Sequence, residues 1–304
     1  MTGQSFHGHF LHGRGAVYRG FLDAHVHLAL IDPGQLVDGG IARAIDLGGW
    51  LPNGKHEDMP DVAYAYQFLT APGGYPSQSG WAEPGWCREI ATAADAAAAV
   101  DLQAAAAASV LKVTLNAVAG PVLNAEALTA AVDRAHECGL PVVAHAEGAG
   151  QADRAFAAGV DAFAHTPFSE RLADDLVTAM AASMTWISTL DIHGWGTPTE
   201  AFDIASDNLH RFHAAGGRVL YGTDLGNGPL PPGINRREIS ALLGAGLTPD
   251  DVLDALCPRA PLGLALADTR VTFIPGERPR DPDEFTEWLG SARALTHSEL
   301  EVLE

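Results

Sequence analysis

The chain has 304 residues, of which 47% are apolar, so it carries enough hydrophobic material for one large domain and is not a disordered polymer. Its formal net charge of −20 argues against nucleic acid as a partner, because phosphate binding needs a basic surface. The cysteines, Cys87, Cys138 and Cys257, are too few and too widely spaced for a disulfide framework or a zinc knuckle. Reduced thiols and a cytoplasmic location are therefore expected.

The first residues, Met1-Thr2-Gly3-Gln4-Ser5-Phe6-His7, lack the basic and apolar regions of a signal peptide. His7, His9 and His12 form a histidine cluster among glycines, read as part of a surface or terminal strand. Phe21–Leu28 follows as an apolar strand containing Asp23-Ala24-His25-Val26-His27. Side chains alternate along a strand, so His25 and His27 share a face and can offer two imidazole nitrogens to one metal ion. Residues 41–47 and 62–69 read as the next strands, 72–85 as a Gly- and Pro-rich loop, and Arg88–Ala108 as a long helix. That Ala-rich stretch contains Asp95, Asp101 and Gln103 and is not a membrane span.

From residue 109 onward strands and helices alternate. Strands are expected at 109–115, 140–146, 160–165, 185–190 and 218–223. Helices are expected at 124–138 with Asn124 as N-cap, 151–158, 169–183 with Ser169 as cap, 200–215, 235–244 and 249–256. Eight strands separated by helices predict an α/β fold, a closed (β/α)8 TIM barrel, and no Gly-x-Gly-x-x-Gly follows the first strand to favour a dinucleotide-binding sheet. The expected divisions are an N-terminal extension over 1–20, a barrel over 21–266 and a C-terminal extension over 267–304. The last contains a short strand near Val271–Ile274 and an acidic helix or frayed tail over 281–304.

Several strand ends carry residues suited to metal chemistry: Lys112, His145, His165 and Asp224, in addition to His25 and His27. In a parallel barrel these ends converge on one rim. Imidazole and carboxylate together suit zinc and other borderline divalent ions. His193 follows the seventh strand and faces the mouth as a substrate-contact candidate, and Trp50, Trp81, Trp86 and Trp195 are candidates to line it. Asp23 reads as a buried group supporting the ligands, and Glu147 as a solvated loop residue or a proton shuttle. His136, His210 and His213 fall on helices and are expected to be exposed.

The ordered set Asp23-Ala24-His25-Val26-His27, Leu111-Lys112-Val113, Ala144-His145-Ala146-Glu147-Gly148, Ala164-His165 and Tyr221-Gly222-Thr223-Asp224 resembles the amidohydrolase superfamily of metal-dependent hydrolases. The likeness is greatest to its imidazolonepropionase-like and prolidase-like branch and covers roughly residues 20–265. The resemblance implies a binuclear centre holding Zn2+, with Mn2+, Fe2+ or Co2+ as alternatives. His25, His27 and Asp224 would hold the buried ion, and His145 and His165 the more exposed one. Lys112, carboxylated by CO2, would bridge the two ions, and Asp224 would act as general base and acid. It also implies that a metal-bound hydroxide attacks the carbonyl of an amide, lactam or other cyclic amide-like substrate. Relatives usually carry a small β-sandwich built from both termini, here reduced or absent.

Other chemistries fit the same residues: a one-metal deaminase-like aminohydrolase, a lactone, ester or phosphoester hydrolase, or a non-catalytic barrel stabilised by metal. The partners expected are a small-molecule substrate and, at most, further copies of the chain, with no nucleic acid and no membrane.

Overall fold

The computed structural model describes residues 8–11, 14–49 and 58–303. Fourteen strands run in chain order: β1 (His9–Leu11), β2 (Gly15–Arg19), β3 (Phe21–Val26), β4 (Ile41–Asp46), β5 (Asp61–Tyr64), β6 (Phe68–Thr70), β7 (Cys87–Glu89), β8 (Leu111–Asn116), β9 (Val142–Glu147), β10 (Ala162–Phe163), β11 (Thr185–Ile187), β12 (Arg218–Leu220), β13 (Arg270–Pro275) and β14 (Arg293–Thr296). Among the described residues no helix is long and apolar enough to cross a membrane, and the three cysteines are free.

The barrel is assembled from two parallel sheets, β3-β4-β5 and β12-β11-β10-β9-β8-β6-β7. Backbone hydrogen bonds join their edges. On one side Ser109 N donates to Tyr64 O at 2.9 Å, linking β5 to the start of β8. On the other, Ala24 N donates to Tyr221 O at 2.9 Å, Asp224 N to His25 O at 2.8 Å and His27 N to Leu225 O at 2.8 Å, so the chain beyond β12 runs parallel to β3. The expected third strand, 62–69, is broken in two. β5 pairs with β4 and β6 with β8, and Tyr66 between them has φ 59°. A left-handed residue cannot continue a strand, so the ladder passes from one half to the other there.

Small and branched residues from all eight staves, among them Ala24, Ile45, Ala63, Val110, Val143, Ala164, Ile187 and Leu220, form one apolar cluster that fills the barrel. The outward faces pack on helices. Trp186 of β11 stacks on Phe212 of the helix Glu200–Ala214 at 3.9 Å between centroids and 6° between planes.

Several expected boundaries move. The helix placed over 88–108 spans Ala93–Ala105, because Thr92 and Asp95 form a capping box and Cys87–Glu89 pairs with β6 instead. The helix expected from Ser169 begins at Asp174, and Ser169 Oγ accepts from Gly148 N at 2.8 Å rather than capping it. Asn124 is the N-cap of Ala125–Glu137, accepting from Ala127 N. The segment read as an acidic helix or frayed tail contributes the helix Pro282–Leu289, strand β14 and the helix His297–Leu303. His7, His12 and Trp50 lie outside the described residues, and only the backbone of His9 is described, in β1.

The two ends of the chain meet in a four-stranded sheet, β1-β2-β13-β14, whose pairings are all antiparallel. Thr272 of β13 ties it to the barrel, its fully buried hydroxyl accepting from Phe21 N at 2.8 Å and donating to Gly40 O at 3.0 Å. Thr272→Val keeps the shape but removes both bonds. It is expected to lower stability by about 1–3 kcal/mol, the cost of leaving buried polar groups unpaired. A lower urea midpoint at unchanged slope would show this, and an unchanged midpoint would refute it.

Candidate metal centre

Strand ends bring the predicted residues to one cavity of about 490 Å3 at the C-terminal mouth of the barrel. His25, His27, Lys112, His145, His165, His193 and Asp224 all line it, and all are buried. The closest convergence is at its floor. His25 Nε2 lies 3.0 Å and His27 Nε2 3.2 Å from Asp224 Oδ1, and the two nitrogens are 3.3 Å apart. Lys112 Nζ is 3.5 Å from His25 Nε2. Ligand atoms of His25, His165 and Asp224 lie within 4.8 Å of one another.

The other ring nitrogens identify the tautomers. His25 Nδ1 is 2.9 Å from Ala164 O, and His27 Nδ1 is 2.9 Å from Gly48 O. A carbonyl oxygen can only accept, so each Nδ1 carries a proton, and in the neutral imidazole each Nε2 then presents a lone pair. Burial, reinforced by the Lys112 ammonium, holds the imidazole of His25 well below its ordinary pKa and keeps it neutral. Two lone pairs and a carboxylate oxygen thus face one another. Such acceptors repel unless a cation sits among them, so the donor set fits a divalent metal ion.

Backbone features permit this crowding. Gly222 lies where strands meet, and a Cβ there would stand 2.3 Å from Ile187 Cγ2 and 3.3 Å from His25 Cβ. Asp224 has φ 58°, a left-handed conformation that Asp tolerates better than most residues.

A second layer orients the first. Asp23 Oδ1 accepts from His25 N and Thr223 N at 3.1 Å each, and its Oδ2 from Thr223 Oγ1 at 2.6 Å, so it fastens the first stave to the eighth. Burial raises its pKa to about 7 against the pull of these hydrogen bonds. Asp46 accepts from Leu28 N and Gly48 N at 2.9 Å each, which positions the carbonyl that holds His27. Burial of Lys112 lowers its amine to about 7, opposed by Asp224 and Asp46.

The upper part of the cavity is arranged differently. His165 Nδ1 is 2.9 Å from Thr189 Oγ1, and burial holds this imidazole well below its usual pKa. The rings of His145 and His165 are 4.9 Å apart. His145 Nε2 is 3.1 Å from Glu147 Oε2, which also accepts from Asn116 Nδ2 at 2.6 Å. Glu147 is half-buried and lines the cavity, so a purely solvated role is excluded. The His193 ring packs against Phe168 with centroids 4.2 Å apart and planes tilted by 39°, and its Nε2 is buried without a hydrogen-bond partner.

Trp81 and Trp195 line the mouth, as expected, whereas Trp86 stands behind Trp81 at 6.3 Å and Trp50 is outside the described residues. His136 and His210 are exposed, and His213 is half-buried beside Asp251 at 3.5 Å. Sequence reading missed Asp46, Thr189, Phe68, Tyr75 and Asn227. The Asp46-Leu47-Gly48-Gly49 turn at the end of the second stave was a usable signal for the first; the others sit in loops or irregular strand ends without a local pattern.

No family model and no curated protein matches the sequence. Solved structures do. A Xaa-Pro dipeptidase with bound methionine in the active site aligns over 91% of this chain and 84% of its own, with TM-score 0.71 and 18% identity. The A. niger ochratoxinase aligns over 92% and 82%, with TM-score 0.71 and 18% identity. A putative prolidase from Bifidobacterium longum aligns over 94% and 84%, with TM-score 0.67 and 19% identity. At these identities the likeness is one of architecture, and the chain has the TIM-barrel fold of the amidohydrolases.

Proposed function

We propose that this chain is a metal-dependent hydrolase of the amidohydrolase superfamily, cleaving the carbonyl–nitrogen bond of an amide, lactam or other cyclic amide-like small molecule. The observation that carries this reading is the meeting of His25 Nε2, His27 Nε2 and Asp224 Oδ1 at 3.0–3.3 Å, with Lys112 Nζ 3.5 Å from the first. The fold shared with a dipeptidase and an ochratoxinase supports it.

In this reading His25, His27 and Asp224 hold one divalent ion, zinc being favoured by the imidazole-rich set. His145, His165 and carboxylated Lys112 serve a second. A buried amine lowered to about 7 has a substantial uncharged fraction at neutral pH, the form that combines with CO2 to give a carbamate and a proton. When bound, divalent ions lower the pKa of coordinated water toward neutrality and polarise a carbonyl.

The chain's own residues supply the rest. Asp224 takes the proton of the attacking water and returns it to the leaving nitrogen as the C–N bond breaks. Asn227 Nδ2, 2.8 Å from Asp224 Oδ2, steers that carboxylate. His193, with its free Nε2 in the cavity, contacts the substrate.

A one-metal, deaminase-like reading is favoured by a separate observation. His145 Nε2 is engaged by Glu147, while His165 is grouped with His25 and Asp224. Metal content per chain separates the two readings. The binuclear reading expects about two ions, falling in Lys112→Ala. A content near one, unchanged in that variant, would remove the carbamate and bring ammonia release to the front. Asp224→Asn is expected to keep the fold, checked by its thermal melt, and to lower kcat by about 10²–10⁴-fold. Full turnover in that variant would refute the assignment of the proton carrier.

A further inference from the structure

The walls of the metal cavity differ from its floor. Phe68, Tyr75, Trp81, Phe168 and Trp195 form a collar of rings above the imidazoles. Trp81 is central to it, 5.9 Å from Phe68, 6.1 Å from Tyr75 and 6.3 Å from His27, and it is 36% exposed at the rim. Tyr75 is held in place by its own carbonyl, which accepts from Thr70 Oγ1 at 2.7 Å and Thr114 Oγ1 at 2.6 Å.

Three polar side chains between the rings already hold partners. Thr114 donates to Tyr75 O, Asn116 to Glu147 and Asn227 to Asp224. Among the described residues that line the cavity, His193 Nε2 is the buried side-chain polar atom left without a partner. Lys112 is the sole lysine or arginine among them, and it lies at the floor against His25. The remaining formal charges are the carboxylates of Asp224 and Glu147.

We infer that the substrate is an uncharged small molecule. Its carbonyl goes to the floor, and its flanking substituent is a flat aromatic or branched apolar group held by Trp81, Phe68 and Tyr75. This deepens the hydrolase reading and rests on it for the position of the carbonyl. Three physical terms lead to it. A carboxylate on the flanking group would lose its hydration against apolar walls, while Lys112, the sole lysine or arginine among the described lining residues, lies at the floor against His25. It would face the electron-rich faces of the rings. It would also share the cavity with the Glu147 carboxylate, in a chain of net charge −20. A neutral ring gains stacking and apolar burial at the same place. A cavity of about 490 Å3 suits a compact molecule rather than an extended peptide.

The test uses the zinc-loaded full chain and a pair of ketones that cannot be hydrolysed, 1,4-diacetylbenzene and 4-acetylbenzoate, with affinity read from tryptophan fluorescence. The uncharged diketone is expected to bind at least about tenfold more tightly, and Trp81→Ala to weaken it at least about fivefold with metal content unchanged. A smaller preference, a preference for the benzoate, no binding by either, or unchanged affinity in Trp81→Ala would overturn the inference.

Hydrolysis of the corresponding acetamides, 4-acetylacetanilide and 4-acetamidobenzoate, each with a single cleavable amide, distinguishes its failure from that of the parent reading. Tight binding of the neutral ketone with no cleavage of either acetamide would sink the hydrolase reading for such amides and spare the ligand class. Cleavage with the benzoate preferred would do the reverse.

Discussion

Closing the barrel forces electron-rich atoms together, and much of the structure exists to make that tolerable. The first stave is bonded to the chain beyond the eighth through Ala24, His27 and Asp224. That pairing sets His25 Nε2, His27 Nε2 and Asp224 Oδ1 within 3.3 Å of one another. In a medium of low polarity such a cluster of acceptors is costly, and a cation among them offsets the cost. The strain is confined to a few positions. Gly222 gives up its side chain so that the strands can approach, and Asp224 accepts a left-handed backbone.

Two further buried carboxylates show how the floor is kept rigid. Asp23 and Asp46 direct their oxygens to neighbouring backbone amides and, for Asp23, the Thr223 hydroxyl, so they shape the loops that present the imidazoles. Burial raises both, to about 7 and about 6, which marks how far they stand from water. Their function is orientation, comparable to the carboxylates and carbonyls that fix the tautomer of metal-binding histidines. The sheet made from the chain ends works at a distance. Through Thr272 it secures Phe21, the first residue of the stave that carries His25 and His27.

The mouth is built on a different principle. Its rings come from strands and loops far apart in sequence, Phe68 in the second half of the broken third stave, Tyr75 and Trp81 after it, and Phe168 and Trp195 after the sixth and seventh. They surround a polar floor with an apolar collar, a common division in small-molecule sites: few directed polar atoms for chemistry and a larger apolar surface for affinity. In the proposed reading chemistry and selection are thereby separated along the barrel axis, so the collar can differ while the floor stays the same.

Local pattern was sufficient for the staves and for the residues at their ends. An apolar run that stops at His25-Val26-His27, Lys112, His145, His165 or Asp224 is readable because strand periodicity and the convergence of parallel strands are properties of the chain alone. The break at Tyr66, the strand at Cys87–Glu89 and the start of the helix at Asp174 were not readable, since pairing partners distant in sequence decide them. The same holds for the site's supports. Nothing near Thr189 signals that its hydroxyl meets His165, and nothing near Asp23 signals Thr223, two hundred positions away. The sequence by itself determined which groups stand at the barrel's rim. Only the tertiary structure decided which nitrogen of each histidine faces inward and which rings enclose the cavity, because tautomer and enclosure depend on atoms brought from elsewhere in the chain.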